Sequence, residues 1–152
     1  MQASSPVLEI LLGTLPLLAT LFIHGAGMNI VQWGFRRHRR SQRVSRLRNS
    51  AYFAVTILIM VVTHLSEIGL WTAALIGLGA IESLRDAYYY VAGTYTTLGY
   101  GEGTLPAQWR LMAPMIAISG LFAFGWTTSV LMNLVAQVNA DRDAAERGRA
   151  GG

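Results

Sequence analysis

Three apolar runs set the terms for this chain: Pro6 to Phe35, Ala51 to about Ala80, and a third from near Trp109 to near Val138. Each is long enough to cross the roughly 30 Å hydrocarbon layer of a bilayer, which takes about 20 helical residues. The first run carries only two ionisable residues, Glu9 and His24. With 53% hydrophobic and 13% charged residues, the chain is too apolar for an ordinary soluble domain. Its 152 residues hold a single membrane unit. A secretory leader would need a basic start and a shorter apolar core. Met1 to Pro6 has no basic residue, so a retained helix is expected there, with Trp33 and Phe35 in an interfacial belt.

Charge is confined rather than spread. All 12 basic residues are arginines, and seven of them (Arg36, Arg37, Arg39, Arg40, Arg43, Arg46 and Arg48) crowd one segment between apolar runs. Arg142, Arg147 and Arg149 lie in the tail, and only Arg85 and Arg110 lie on the other side. Such a bias marks the cytoplasmic side of a membrane protein. The net charge of +4 is therefore read as topogenic, not as a nucleic-acid face. A multi-pass protein of the cell (inner) membrane is expected, N-terminus outside and C-terminus cytoplasmic. Arg36–Arg48 is expected to form a basic loop that also meets anionic lipid headgroups. The polar tail, Asn139 to Gly152, is expected to fray. The chain has no cysteine, which excludes disulfides, thiolate metal sites and cysteine nucleophiles.

Between the second and third runs lies a semi-polar segment, Ile81 to Gln108, containing YVAGTYTTLGYGEG from Tyr90 to Gly103. Irregular backbone at membrane depth survives only when it is buried in protein or lines a watery path. Ser83-Leu84-Arg85-Asp86 reads as a capping box, with Ser83 as N-cap. The helix that follows, Leu84 to Tyr95, is too short to span and must be re-entrant. Gly99 and Gly101 then permit backbone angles that other residues avoid. Thr97, Leu98, Gly99 and Tyr100 are expected to run extended, with successive carbonyls aimed at one axis.

Thr97-Leu98-Gly99-Tyr100-Gly101 resembles the TVGYG selectivity filter of potassium channels, with leucine for valine. Tyr89 and Tyr90 stand where such channels often carry an aromatic pair bracing the filter. Ser119-Gly120-Leu121-Phe122-Ala123-Phe124-Gly125 resembles the glycine-hinged inner helix of two-helix bacterial potassium channels. His64-x-x-Glu67-Ile68-x-Leu70-Trp71, taken with Thr96 to Gly101, is similar to small bacterial ion-channel proteins. The resemblance covers roughly Ala51 to Val138, and the first helix lies outside it. Two departures stand out: Glu102 replaces the usual aspartate after the filter, and Gly93 sits where some relatives place a glutamate.

The resemblance implies an all-α membrane protein: three transmembrane helices, a re-entrant pore helix and a filter loop, assembled as a homotetramer. It implies four segments: an N-terminal transmembrane helix (1–35), a basic cytoplasmic loop (36–50), a pore domain (51–138) and a cytoplasmic tail (139–152). Potassium would be the permeant ion, held by the carbonyls of Thr97, Leu98, Gly99 and Tyr100 and the Thr97 hydroxyl. Tyr89, Tyr90, Gly101 and Glu102 would support the filter. Gly120, Leu121, Phe124, Thr128 and Met132 would form the inner cavity and gate. No organic cofactor or catalysis is implied. Two alternatives stay open: a weakly selective cation channel, and a non-conducting membrane subunit of the same fold.

His64 and Glu67 are ionisable residues inside the second run, three apart and so on one helix face with Trp71. Intramembrane ionisable residues are candidate functional sites, and these two are candidate modulators of the pore. Three readings stay open: a hydrogen bond to the pore helix or a neighbouring subunit, a pH sensor, or a metal site completed by His24. The spacing is not that of a zinc protease, and no catalytic pair stands out among the apolar runs.

Overall fold

A computed structural model describes residues 6–39, 46–99 and 105–150. Four α-helices follow in order: α1 (Pro6–Arg39), α2 (Arg46–Gly77), α3 (Leu84–Tyr95) and α4 (Met112–Ala150), with a 3₁₀ turn at Ala107–Trp109 before α4. No strand occurs among the described residues. Three helices are long and apolar enough to cross a membrane. At 1.5 Å per residue α3 measures about 18 Å, well short of the roughly 30 Å hydrocarbon layer.

α1 packs against both α2 and α4, and α3 wedges between α2 and α4. Two apolar clusters hold the helices together. One joins Ile68, Trp71 and Leu75 of α2, Val91 and Tyr95 of α3, and Met112, Ile116 and Ala123 of α4, with Leu105 and Trp109 closing it. The other joins Met28, Val31 and Phe35 of α1, Met60 of α2, and Val130 and Leu134 of α4. Between the clusters the packed faces are polar. Much of the remaining helix surface is apolar and exposed, as at Leu15, Phe22, Leu58 and Ile118, which suits lipid or protein neighbours rather than water.

α3 enters and stops where its sequence says it should. Ser83 is extended and its hydroxyl accepts from the Asp86 N–H at 3.3 Å, one half of a capping box. The other end sits at mid-depth of its neighbours, with Tyr95 buried against α2 and α4. Gly120 makes that position reachable, because a Cβ there would collide with the Tyr95 carbonyl.

Three sequence expectations change. Helix continues into the arginine segment from both sides, to Arg39 and from Arg46, so a loop spanning 36–50 is not what forms. Arginine is a good helix former, and helix lets its long side chain reach away from an apolar layer. The tail does not fray at Asn139: α4 runs on to Ala150 through an alanine-rich stretch, as alanine's propensity favours. Phe35 is buried against Tyr52 in the helix packing, while Trp33 is exposed beneath the Arg37 guanidinium at 5.6 Å. A helix carries residues two apart to different faces, so Phe35 turns into the packing and only Trp33 of the pair faces outward at that level.

Candidate functional site

α3 ends in a hydrogen-bonded cap that shapes the loop beyond it. The Thr97 N–H donates to the Thr94 carbonyl at 3.1 Å and the Leu98 N–H to the Gly93 carbonyl at 2.9 Å. This is a Schellman motif, in which the turning residue adopts a left-handed conformation. That residue is Thr97, with φ of 60°. The end of α2 uses the same two bonds, Gly79 to Ile76 and Ala80 to Leu75, but there glycine takes the turn with φ of 64°. A β-branched residue in this conformation carries strain. The expected extended run from Thr97 therefore does not form: the chain turns at Thr97, because the last carbonyls of α3 need donors.

Thr97, Leu98 and Gly99 are exposed, and Gly99 has φ of 65°. Tyr100, Gly101 and Glu102 lie outside the described residues, as do Arg40 and Arg43. Tyr89 is exposed and Tyr90 half-buried against the first cluster. Leu121, Phe124, Thr128 and Met132 share the exposed side of α4, while Gly120 faces inward against α3.

Behind the loop the structure assembles a polar cluster from all four helices. Glu67 is fully buried on α2. One carboxylate oxygen lies 2.9 Å from Nδ1 of His24 on α1, and the other accepts the Tyr95 hydroxyl of α3. Nδ1 of His64 lies 2.9 Å from that same Tyr95 oxygen. Thr127 of α4 closes the set, its Oγ1 lying 3.1 Å from Nε2 of His64 and 3.3 Å from Nε2 of His24. Glu67, His24, Thr127, His64 and Tyr95 thus form a closed ring of five hydrogen bonds. Phe124 stacks on His64 with centroids 4.6 Å apart, and Trp126 leans on His24 at 5.3 Å.

His64 and Glu67 stood out in the sequence, but their partners did not. His24 was visible as an ionisable residue in an apolar run. Tyr95 and Thr127 were camouflaged among hydroxyl residues common in membrane helices. Ligating atoms of His24, His64 and Glu67 lie within 4.8 Å of one another, a donor set that suits zinc-like ions. Every one of those nitrogens and oxygens is already engaged inside the ring, so a metal would have to break it. The arrangement is a hydrogen-bonded clamp first.

A second buried carboxylate fastens the other end of α1. Glu9 accepts the Leu111 N–H, satisfying a donor at the start of α4 that has no intrahelical partner.

Long apolar helices holding a short capped helix and its loop between them define an all-helical membrane channel architecture. A family model described as ion channel matches residues 59–137. The match spans α2 from its middle, α3, the loop and most of α4, and the chain belongs to this ion channel family. α1 precedes the matched region as an additional apolar helix. Compared with curated proteins and with solved structures, the chain has no match.

Proposed function

We propose that the chain conducts potassium ions passively through a homotetrameric pore, with Thr97, Leu98, Gly99 and Tyr100 of each copy lining the filter. The observation that carries this reading is a non-spanning helix that ends at mid-depth in Thr96-Thr97-Leu98-Gly99, between two helices long enough to span. The carboxyl end of α3 carries a partial negative charge, which favours a cation there. Exposure of Thr97 to Gly99 and of one side of α4 in the single subunit suits surfaces that face an axis or a neighbouring copy. The arginine bias supports a cytoplasmic C-terminus. Arg36–Arg48 would then lie at the inner leaflet, within reach of anionic headgroups.

Flux from proteoliposomes tests the reading directly. Potassium and rubidium should pass and sodium should be excluded. Gly99 occupies a left-handed position with open space where a Cβ would go. A Gly99→Ala substitution there acts on backbone conformation alone, and should scramble selectivity while the assembly persists. Unchanged potassium-over-sodium permeability in that variant would remove the filter from the proposal.

A further inference from the structure

The ring of Glu67, His24, Thr127, His64 and Tyr95 has five hydrogen bonds, and each needs one hydrogen. The groups can be counted. A carboxylate supplies none, two neutral imidazoles supply one each, and two hydroxyls supply one each. With Glu67 ionised and both histidines neutral, the count falls one short and the net charge is −1. Tyr95 then donates to Glu67, His64 donates from Nδ1 to Tyr95, and His24 donates from Nδ1 to Glu67. Both Nε2 atoms are left as bare acceptors facing one hydroxyl, 3.1 and 3.3 Å away, and Thr127 can satisfy only one. One added proton completes every bond. It sits on the His24–Glu67 pair, and His24 then donates from Nε2 to Thr127 while Thr127 donates to His64. The completed ring has zero net charge, which suits a site in which His24, Glu67 and Tyr95 are fully buried.

We propose that this ring is a proton-binding clamp, that it holds one proton beyond its ionised-carboxylate state, and that losing that proton unties Thr127 of α4 from one of the two histidines and closes the pore. The titratable groups facing the site are His24 from α1, His64 and Glu67 from α2, and Tyr95 from α3; α4 contributes the Thr127 hydroxyl. Tyr95 keeps its hydrogen throughout. The coupling is structural: the two bonds of Thr127 tie α4 to His24 of α1 and His64 of α2, and Thr127 adjoins Thr128 on the exposed side of that helix. A sixth proton breaks no bond, since the Thr127 oxygen can accept from both histidines while its own hydrogen turns to the Met28 sulfur, 3.9 Å away. The alkaline side is where a bond is lost. His24 lies outside the family match, so α1 supplies what makes the site sensitive.

The clamp's effect on current rests on the conducting reading above, but its proton count does not. Two measurements on the full chain separate them. In bilayers, ¹⁵N spectra of the two histidines and the ¹³C carboxyl shift of Glu67 at neutral pH should together show one proton more than a carboxylate with two neutral imidazoles. Finding a carboxylate and two neutral imidazoles overturns the clamp whether or not the protein conducts. In recordings between neutral and pH 10, the parent's current should fall past its midpoint by at least about tenfold per pH unit, the slope for loss of one proton, and more steeply where the four copies act together. E67Q supplies a hydrogen from its amide, closing the ring with both histidines neutral. It should conduct and lose the alkaline fall, whereas T127V should be insensitive to pH at a reduced current. A parent current flat across that range, or an alkaline fall retained in E67Q, overturns the switch. Current that follows added zinc or its chelation instead of pH overturns it in favour of a metal site.

Discussion

Thr97 sits at a point of conflict. The Schellman cap asks for a left-handed residue, and α2 meets the same demand with Gly79, whereas α3 meets it with threonine. Residues held in such conformations typically cost about 1–3 kcal/mol and cluster at functional sites. Thr97→Gly should therefore raise the stability of the solubilised protein by roughly 1 kcal/mol, seen as a higher midpoint in thermal unfolding. It should also weaken potassium selectivity by removing the hydroxyl proposed to face the ion. A variant that is less stable than the parent would show that the threonine is not strained there. Tyr95 is the other residue whose chemistry outweighs its size. Its oxygen joins Glu67 to His64, and Tyr95→Phe leaves a buried carboxylate oxygen and an imidazole nitrogen without that partner. The expected loss is about 1–3 kcal/mol, measured by the same unfolding curve, with little change in helix content.

Among the elements, α3 is the one that leads into the proposed filter and the one least able to stand alone. Twelve residues are too few for a stable isolated helix, so α3 is held by its cap and by burial of Ala87, Val91 and Tyr95. The glycines of α4 show how closely it is held. Gly120 is where α4 touches the Tyr95 carbonyl, while nothing lies within 4 Å of where a Cβ would stand on Gly125. Alanine in a helix interior is ordinarily favoured over glycine by about 0.5–1 kcal/mol. At position 120 the clash should outweigh that gain and destabilise by about 1–3 kcal/mol; at 125 the propensity gain should show within the subunit. Unfolding midpoints for the two alanine variants should move in opposite directions. If both rise, Gly120 is not a contact residue and a hinge becomes the better account of it.

At the scale of the whole molecule, α1 is part of the fold and not an appendage. It shares an apolar cluster with α2 and α4 and is fastened at two polar points, Glu9 to Leu111 and His24 to Glu67. Fifteen residues of helix separate those points by about 22 Å. Sites that far apart with no shared partner are expected to be additive. Glu9→Ala and His24→Ala should each destabilise, and the double variant should show the sum within about 0.5 kcal/mol. His24→Ala with Glu67→Ala should not add, because the two share one bond. Additivity in that second pair would mean the His24–Glu67 contact contributes little.

The sequence by itself determined the all-helical membrane class, because runs of 20 and more apolar residues have no other stable folded setting. It also determined α3 to the residue, since Ser83 and Asp86 mark its start and the polar, glycine-bearing loop marks its end. Those signals are local, carried by neighbours in the chain. Two further features were local but were masked by a stronger pattern, and the one that only the tertiary structure decided was long-range. Thr97 reads from sequence as the first residue of an extended strand, yet it turns, because the unpaired carbonyls of Thr94 and Gly93 accept the N–H groups of Thr97 itself and of Leu98. Helical arginines and an alanine-rich tail read as loop and frayed end by charge alone, while backbone propensity carried both into helix. His64 and Glu67 could be marked as unusual, but no spacing in the chain connects them to His24, 40 and 43 residues away, or to Thr127 a further 60 and more along. Their meeting depends on how four helices pack, and the proton count of the ring exists only once they do.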